Sequence, residues 1–225
     1  MKYYQELQEG LYDPNIFKAF FLAGGPGSGK SYVVRKTTGG LGLKIVNSDD
    51  TFELLLDKAG LSKLMPPEEL EPRDVERAKS KKLTAARQAN YVEGRLGIII
   101  DGTGKNFDKI SGQAGKLQGL GYDTYMIFVN TSIDMALERN VQRGERGGRT
   151  VPKAQTIKFW KDVQANMGKF SQLFRRNFII VDNNNADDDV FADVSKQIRS
   201  LLRIKVSNTR AKNWMAMELA KKKRI

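Results

Sequence analysis

A glycine-rich segment that ends in a lysine and a serine is the first place where residue types and spacing indicate chemistry. Residues 24–31 read GGPGSGKS, which fits G-x-x-x-x-G-K-[ST], with an apolar run before it and a helix-type stretch after it. Glycines allow backbone N–H groups to converge on a phosphate, and the following helix adds its positive dipole end. We therefore expect ATP to bind here, with Lys30 between the β- and γ-phosphates and Ser31 on Mg²⁺. The other expected nucleotide-binding residues are Gly25, Pro26, Gly27, Ser28, Gly29 and Tyr32.

Two adjacent carboxylates follow the second apolar run, in KIVNSDDTF. In a parallel sheet this position lies at the carboxyl edge, where ligands bind. Because the chain has no histidine, Asp49 is the best candidate for the general base that takes a proton from an acceptor hydroxyl. Asp50 is a candidate for binding the substrate. An N-cap at the start of the following helix is the alternative role for either residue.

A third carboxylate, Asp101, ends the apolar run in LGIIIDGTG. At a strand tip it is expected to hold the Mg²⁺ shell or a substrate hydroxyl, and Thr103 on the next turn to contact a phosphate or the substrate. The alternative is a structural turn in which Asp101 precedes Gly102. A phosphatase of the D-x-D-G-T type is excluded, because Ile99 stands where that pattern requires an acid.

Arginines are concentrated in the stretch ALERNVQRGERGGRTVP. Arg139 and Arg143 share one helix face and are predicted to bind the nucleotide and to stabilise the negative charge that builds up during phosphoryl transfer. Arg146 and Arg149 lie in the glycine-rich part and are predicted to contact the substrate. We expect residues 143–151 to form a basic lid that excludes water. The alternative is an exposed helix end, where arginine favours the negative end of the dipole.

These candidates follow a repeated alternation of apolar runs and stretches with helical spacing. The runs of strand type are residues 17–23, 43–47, 96–101, 122–130 and 177–183, and the helical stretches are 29–38, 51–59, 72–94, 106–119, 132–143, 152–174 and 187–202. Nearly continuous apolar strands that alternate with helices indicate a parallel sheet covered on both faces. The sequence therefore predicts a doubly wound α/β fold with a mainly parallel, five-stranded sheet.

The composition excludes several kinds of functional site and indicates where the protein is located. The chain has 225 residues, enough for one large core, and contains neither cysteine nor histidine, which excludes disulfides, thiolate metal sites and imidazole catalysis. No apolar run reaches the roughly 18 residues of a membrane span, and the beginning lacks the features of a signal peptide. We expect a cytoplasmic protein without a membrane partner.

The succession of motifs resembles a known group of enzymes. GGPGSGKS, VNSDD, IIIDGT and ERNVQRGERGGRTVP, followed by FWKDVQANMGKF, are similar to the kinase module of bacteriophage polynucleotide kinases and, more broadly, to the zeta-toxin-like P-loop kinases. The resemblance covers residues 20–182 and implies an ATP-dependent phosphotransferase. The positions that match the functional residues of these enzymes are Asp49 as the base, Lys30 and Ser31 on ATP and Mg²⁺, and Arg139 and Arg143 on the phosphates.

Two departures from the polynucleotide kinases concern the acceptor. Phe52 stands where those enzymes carry an arginine for the acceptor's phosphate, and no phosphatase module follows. Both departures weaken the polynucleotide assignment more than the kinase assignment, and the loss of the arginine at position 52 favours a small-molecule acceptor, such as a nucleotide or nucleotide sugar, over the 5′-hydroxyl of DNA or RNA. The polynucleotide hypothesis is supported by basic patches such as residues 77–82. A hypothesis from another class is an ATP-gated regulator that binds nucleic acid, which, unlike a kinase, does not require Asp49 as a base.

The net charge of +12 is unevenly distributed along the chain. From Lys205 to the end, seven basic residues occur with Glu218 as the only acid. The predicted organisation is a P-loop kinase domain over residues 1–204, including the lid, and a basic tail over residues 205–225. The tail is either a solubilising terminus or a contact for a polyanion such as nucleic acid.

Overall fold

The computed structural model describes residues 10–222 and confirms the predicted α/β fold. The strands are β1 Lys18–Ala23, β2 Lys44–Val46, β3 Ile98–Ile100, β4 Asp123–Asn130 and β5 Phe178–Asp182. The helices are α1 Lys30–Thr38, α2 Ser48–Lys58, α3 Leu70–Glu93, α4 Phe107–Gly119, α5 Ile133–Glu145, α6 Lys153–Phe174, α7 Asp188–Leu202 and α8 Thr209–Lys222. All strand pairings are parallel, and the order across the sheet is β2-β3-β1-β4-β5.

The central strand β1 separates two apolar cores. Its alternate residues point to opposite faces, so that Phe21 lies in one core and Phe20 in the other. The core around Phe21 includes residues of α4, α6 and α8, whereas the core around Phe20 includes residues of α1 and α7. A sheet that is covered on both faces in this way explains why its strands read as continuous apolar runs.

The predicted helix over residues 51–59 begins earlier in the structure, at Ser48. Asn47 precedes it in an extended conformation, and its side-chain oxygen accepts a hydrogen bond from the Asp49 N–H at 2.7 Å. Asn47 is therefore the N-cap, and both Asp49 and Asp50 lie in the first turn. This local geometry leaves both carboxylates free of the capping role that the sequence allows them.

The C-terminal residues described by the structure form α8, which packs against the core around Phe21. Ala211 is fully buried there, and the Trp214 ring meets Phe17 edge-on with the ring centres 5.5 Å apart. Arg210 donates a hydrogen bond to the Gly119 carbonyl at the end of α4. Of the helices described, none combines the length and the apolar character needed to cross a bilayer.

Candidate active site

The segment 24–31 links β1 to α1 and forms a loop whose shape depends on glycine. Gly27 and Gly29 have φ angles of 77° and 81°, which side chains rarely adopt. A Cβ atom on Gly27 would also collide with the Ala136 carbonyl, and one on Gly29 would collide with the Asn183 side chain. The loop is thus closely packed against Ala136 and Asn183.

Two side chains bind the Ser28 carbonyl of the loop. The Ser28 carbonyl accepts hydrogen bonds from Asn183 Nδ2 at 2.8 Å and from Thr131 Oγ1 at 3.3 Å. The Gly24 N–H is bound to the Thr103 carbonyl at 2.9 Å. Because these contacts fix the backbone, the loop keeps its shape without a bound ligand.

Two buried polar atoms at this loop have no hydrogen-bond partner among the described residues. They are Ser28 Oγ and Arg139 Nη1, of which the second lies beside Gly29. Unsatisfied buried donors are rare in folded proteins, so they indicate a missing anionic or polar ligand. Together with the glycine backbone and the start of α1, they fit a phosphate group.

Lys30 lies at the start of α1 and points back into the loop. Its Nζ donates hydrogen bonds to the carbonyls of Gly24 at 2.7 Å and Gly25 at 3.3 Å. Burial lowers the pKa of Lys30, and the negative charges of Asp101 and Asp49 oppose this shift. The ammonium group is therefore within electrostatic reach of both carboxylates that the sequence assigns to the site.

Asp49 is clamped between two arginines that come from different parts of the chain. Its Oδ1 accepts a hydrogen bond from Arg77 Nη1 of α3 at 2.7 Å, and its Oδ2 lies 2.8 Å from Arg149 Nη2 in the predicted lid. Burial alone would raise the pKa of Asp49, but Arg149 and Arg77 together bring that pKa below its ordinary value. The neighbouring Asp50 is exposed and contacts the side chain of the N-cap, Asn47.

The two arginines also cover the ring of Phe52, which is buried on the next turn of α2. The guanidinium groups of Arg77 and Arg149 lie 4.8 and 5.8 Å from the ring centre. Beside them is a cavity of about 420 Å³ between α2, α3 and the segment before α6. The residues that line it are Phe52, Met65, Leu70, Arg73, Asp74, Arg77, Arg149, Thr150, Val151, Pro152 and Gln155.

Asp101 follows β3 at the same edge of the sheet. Burial raises its pKa, and the charge of Lys30 partly counteracts this effect. Its carboxylate and the Ser31 hydroxyl on α1 are hard oxygen donors of the kind that Mg²⁺ prefers when nucleotide phosphates complete its shell. Within residues 10–222 no cluster of three or more acidic side chains forms a closed metal site. This donor set fits a cation that arrives with the nucleotide.

The predicted arginine lid is only partly exposed. Arg149 is 13% exposed and bound to Asp49, whereas Arg143 and Arg146 are exposed. Arg139, on α5, donates through Nη2 to the Asn184 carbonyl at 3.2 Å. Asn140 holds the C-terminal end of the predicted lid, residues 143–151, through two hydrogen bonds to the Val151 backbone, at 2.7 and 3.0 Å.

The structure brings most of the predicted residues to one edge of the sheet, and it adds others. Tyr32 lies farther along α1, where its ring meets Phe191 of α7 edge-on. Trp160 of α6 packs beside Gly25 and donates to the Thr131 carbonyl at 2.7 Å.

Two residues of the site were not predicted from the sequence, namely Asn183 and, in its role at Asp49, Arg77. Asn183 directly follows the last strand, so its position at a carboxyl strand end was a usable signal.

The fold and the phosphate-binding loop define a P-loop kinase. The zeta toxin family model matches residues 11–194, and the chain belongs to this family. No curated protein matches the chain. Among solved structures, a chain of the PezAT toxin–antitoxin system of Streptococcus pneumoniae is similar at 16% identity, with a TM-score of 0.55 over 89% of this chain and 92% of that chain.

Two further structures share the fold. A chain of the Pnkp1/Rnl/Hen1 RNA repair complex has 22% identity and a TM-score of 0.54, over 69% of this chain and 47% of that chain. A protein from Chloroflexus aurantiacus has 15% identity and a TM-score of 0.56, over 81% of this chain and 97% of that chain. Membership of the family implies that the protein uses a nucleotide, usually ATP with Mg²⁺.

Proposed function

We propose that the protein transfers the γ-phosphoryl group of ATP to a hydroxyl group of a small molecule, such as a nucleotide or a nucleotide sugar. The observation that carries this proposal is the position of Asp49. Its carboxylate is electrostatically coupled to Lys30 of the phosphate-binding loop, and both of its arginine partners line the cavity beside Phe52. A base between a phosphate site and a cavity is the arrangement that kinase chemistry requires.

In this proposal the loop and Lys30 bind the β- and γ-phosphates, and Arg139 adds a donor to the phosphate group. Asp49 accepts the proton of the acceptor hydroxyl, whose oxygen forms a bond to the γ-phosphorus while the bond to the β–γ bridging oxygen breaks. Arg143 and Arg149 balance the charge on the transferred group. Mg²⁺, held by Ser31 and Asp101, would neutralise phosphate charge.

The size of the cavity supports a small acceptor. A volume of about 420 Å³ lies within the range of sites for small molecules. Phe52 occupies the position at which an arginine would bind the phosphate of a polynucleotide acceptor, and its ring is covered by Arg77 and Arg149. The acceptor thus meets cationic groups around a buried ring.

The test is incubation of the protein with γ-labelled ATP and a panel of nucleosides, nucleotides, nucleotide sugars and 5′-hydroxyl oligonucleotides. Label is expected on a nucleotide or nucleotide sugar with the wild-type protein, and this transfer should be lost in Asp49→Asn. Asp57→Asn, the same change at the exposed far end of α2, is the matched control and should retain activity. Transfer at the wild-type rate by Asp49→Asn would remove Asp49 as the base.

A further inference from the structure

The proposed kinase site, at the carboxyl edge of the sheet, uses only part of the positive charge of the protein. Residues 196–216 run from the second half of α7 into α8 and contain six basic side chains and no acidic one. These basic residues are Lys196, Arg199, Arg203, Lys205, Arg210 and Lys212. Their net charge of +6 over 21 residues compares with +12 over all 225 residues, so half of the excess positive charge is concentrated here.

Four of these cations line a hollow of about 720 Å³ between α7, α8 and the beginning of β1. They are Arg199, Arg203, Lys205 and Lys212, and aliphatic residues such as Leu202 and Met215 form the remaining wall. Arg199 and Arg203 also line a neighbouring hollow of about 490 Å³ along α7, together with Lys196. We call the two connected hollows the basic groove.

The charges of the basic groove are not neutralised within the part of the chain that the structure describes. The five cations that line the two hollows are exposed, and none forms a salt bridge with a residue between 10 and 222. By contrast, Lys18 at the bottom of the groove is buried and paired with Asp123 at 2.6 Å. The groove therefore combines a neutral floor with an uncompensated positive rim.

The basic groove lies away from the kinase site. Lys18 begins β1, whereas Ala23 ends it and leads into the phosphate-binding loop. Five residue steps of a strand span about 17 Å, so the groove is at the opposite edge of the sheet from the nucleotide. A ligand in the groove does not compete for the loop or the cavity beside Phe52.

We propose that the basic groove binds the phosphate backbone of a single-stranded nucleic acid, without selecting its bases. Arg199 and Arg203 are one helical turn apart, about 6 Å along the axis of α7, which is a repeat that a polymer with one charge per nucleotide can follow. Among residues 10–222, no aromatic side chain on which a base could stack lines either hollow. Recognition therefore depends on charge and is independent of base sequence.

The test is fluorescence anisotropy with labelled oligo(dT) of about 20 nucleotides, over about 50 to 200 mM NaCl. The test variant replaces the four cations of the larger hollow: Arg199→Gln, Arg203→Gln, Lys205→Gln and Lys212→Gln. Loss of four phosphate contacts should reduce the slope of log K against log salt by about 3 for a single strand. A thermal melt of each variant verifies that it is folded.

A matched control distinguishes the effect of the groove on binding from the effect of the net charge of the protein. Lys58→Gln, Arg87→Gln, Lys109→Gln and Lys116→Gln remove the same charge from exposed positions on α2, α3 and α4. The control should keep the wild-type slope, and equal loss of slope in both variants would overturn the proposal. It would also be overturned if poly-Glu bound while oligo(dT) did not. The groove variant should keep its phosphoryl-transfer activity, so a failure here is distinguishable from a failure of the proposed function.

Discussion

Arg77 binds Asp49 across 28 residues of sequence, with Nη1 donating to Oδ1 at 2.7 Å. The same guanidinium group lies over the ring of Phe52, one turn further along the helix that carries the carboxylate. Arg77 therefore fixes Asp49 from one side while the ring fixes Arg77. We expect Arg77 to position the base, in addition to lining the cavity proposed for the acceptor.

The first prediction concerns the pH profile of Arg77→Gln. Asp49 has a pKa below its ordinary value, so it is ionised and able to act as a base down into the acidic range. Removal of a positive charge that lowers this pKa should move the acid limb of kcat/KM to higher pH, with kcat reduced about tenfold. Rates measured from acidic to neutral pH provide the test.

Controls for this prediction follow from the charges that face Asp49. These are Arg77 on α3, Arg149 before α6, Lys30 at the start of α1 and Asp101 after β3. Arg77→Lys keeps the charge and should leave the acid limb close to that of the wild type. Arg87→Gln, on an exposed turn of α3, should change neither rate nor limb. An unmoved limb in Arg77→Gln would mean that Arg77 has only a structural role.

The second prediction compares two glycines with similar backbone conformations. Gly27 and Gly40 have φ angles of 77° and 75°, but only Gly27 has atoms close to its missing Cβ. Gly40→Ala should cost about 1 kcal/mol of stability and leave ATP binding intact. Gly27→Ala should abolish ATP binding measured by calorimetry, because the loop must move away from the Ala136 carbonyl. Equal ATP affinity in the two variants would contradict the assigned phosphate site.

The third prediction concerns Arg143, which is exposed at the end of α5 beside Gly148. If it contacts the transferred phosphoryl group, Arg143→Ala should lower kcat by roughly a hundredfold or more, and change KM for ATP much less. Arg35→Ala, an exposed arginine on α1, is the control. Steady-state kinetics with ATP varied would exclude Arg143 from the mechanism if kcat were unchanged.

The fourth prediction concerns stability. Lys18 is 2% exposed and its only ion-pair partner among the described residues, Asp123, is 29% exposed. Asp123→Asn leaves a buried ammonium group unpaired and should lower the free energy of unfolding by about 3 kcal/mol in a denaturant titration. Lys18→Met combined with Asp123→Asn should recover part of this loss. A double variant less stable than Asp123→Asn would argue against the buried-charge explanation.

The fold followed from the sequence because parallel strands buried on both faces leave a strong pattern. Each observed strand lies within a predicted apolar run, and the loop between β1 and α1 carries a specific motif. The predicted start of α2 was less accurate, because Asn47 takes the capping role for which Asp49 and Asp50 were also candidates. Several polar residues compete at a helix start, and tertiary contacts decide among them.

The partners of the site residues were harder to predict. From the sequence, Arg77 was interpreted as part of a surface basic patch, because no residue near it in the sequence indicates that α3 contacts α2 at Asp49. Phe52 read as a departure from related kinases, although it supports two arginines beside the base. Such pairings depend on how helices pack, which a single sequence does not encode locally.

The inward position of Lys30 has a consequence for how tightly ATP binds. Its ammonium group is already bound by the Gly24 and Gly25 carbonyls, so in the proposed ATP complex phosphate oxygens would replace these acceptors rather than meet a solvated cation. The free energy gained from the new charge-assisted hydrogen bonds is therefore the difference between Lys30 bound to phosphate oxygens and Lys30 bound to the two carbonyls. In the proposed cycle, the same two carbonyls would receive the lysine again after the product leaves, which would return the empty loop to its starting geometry.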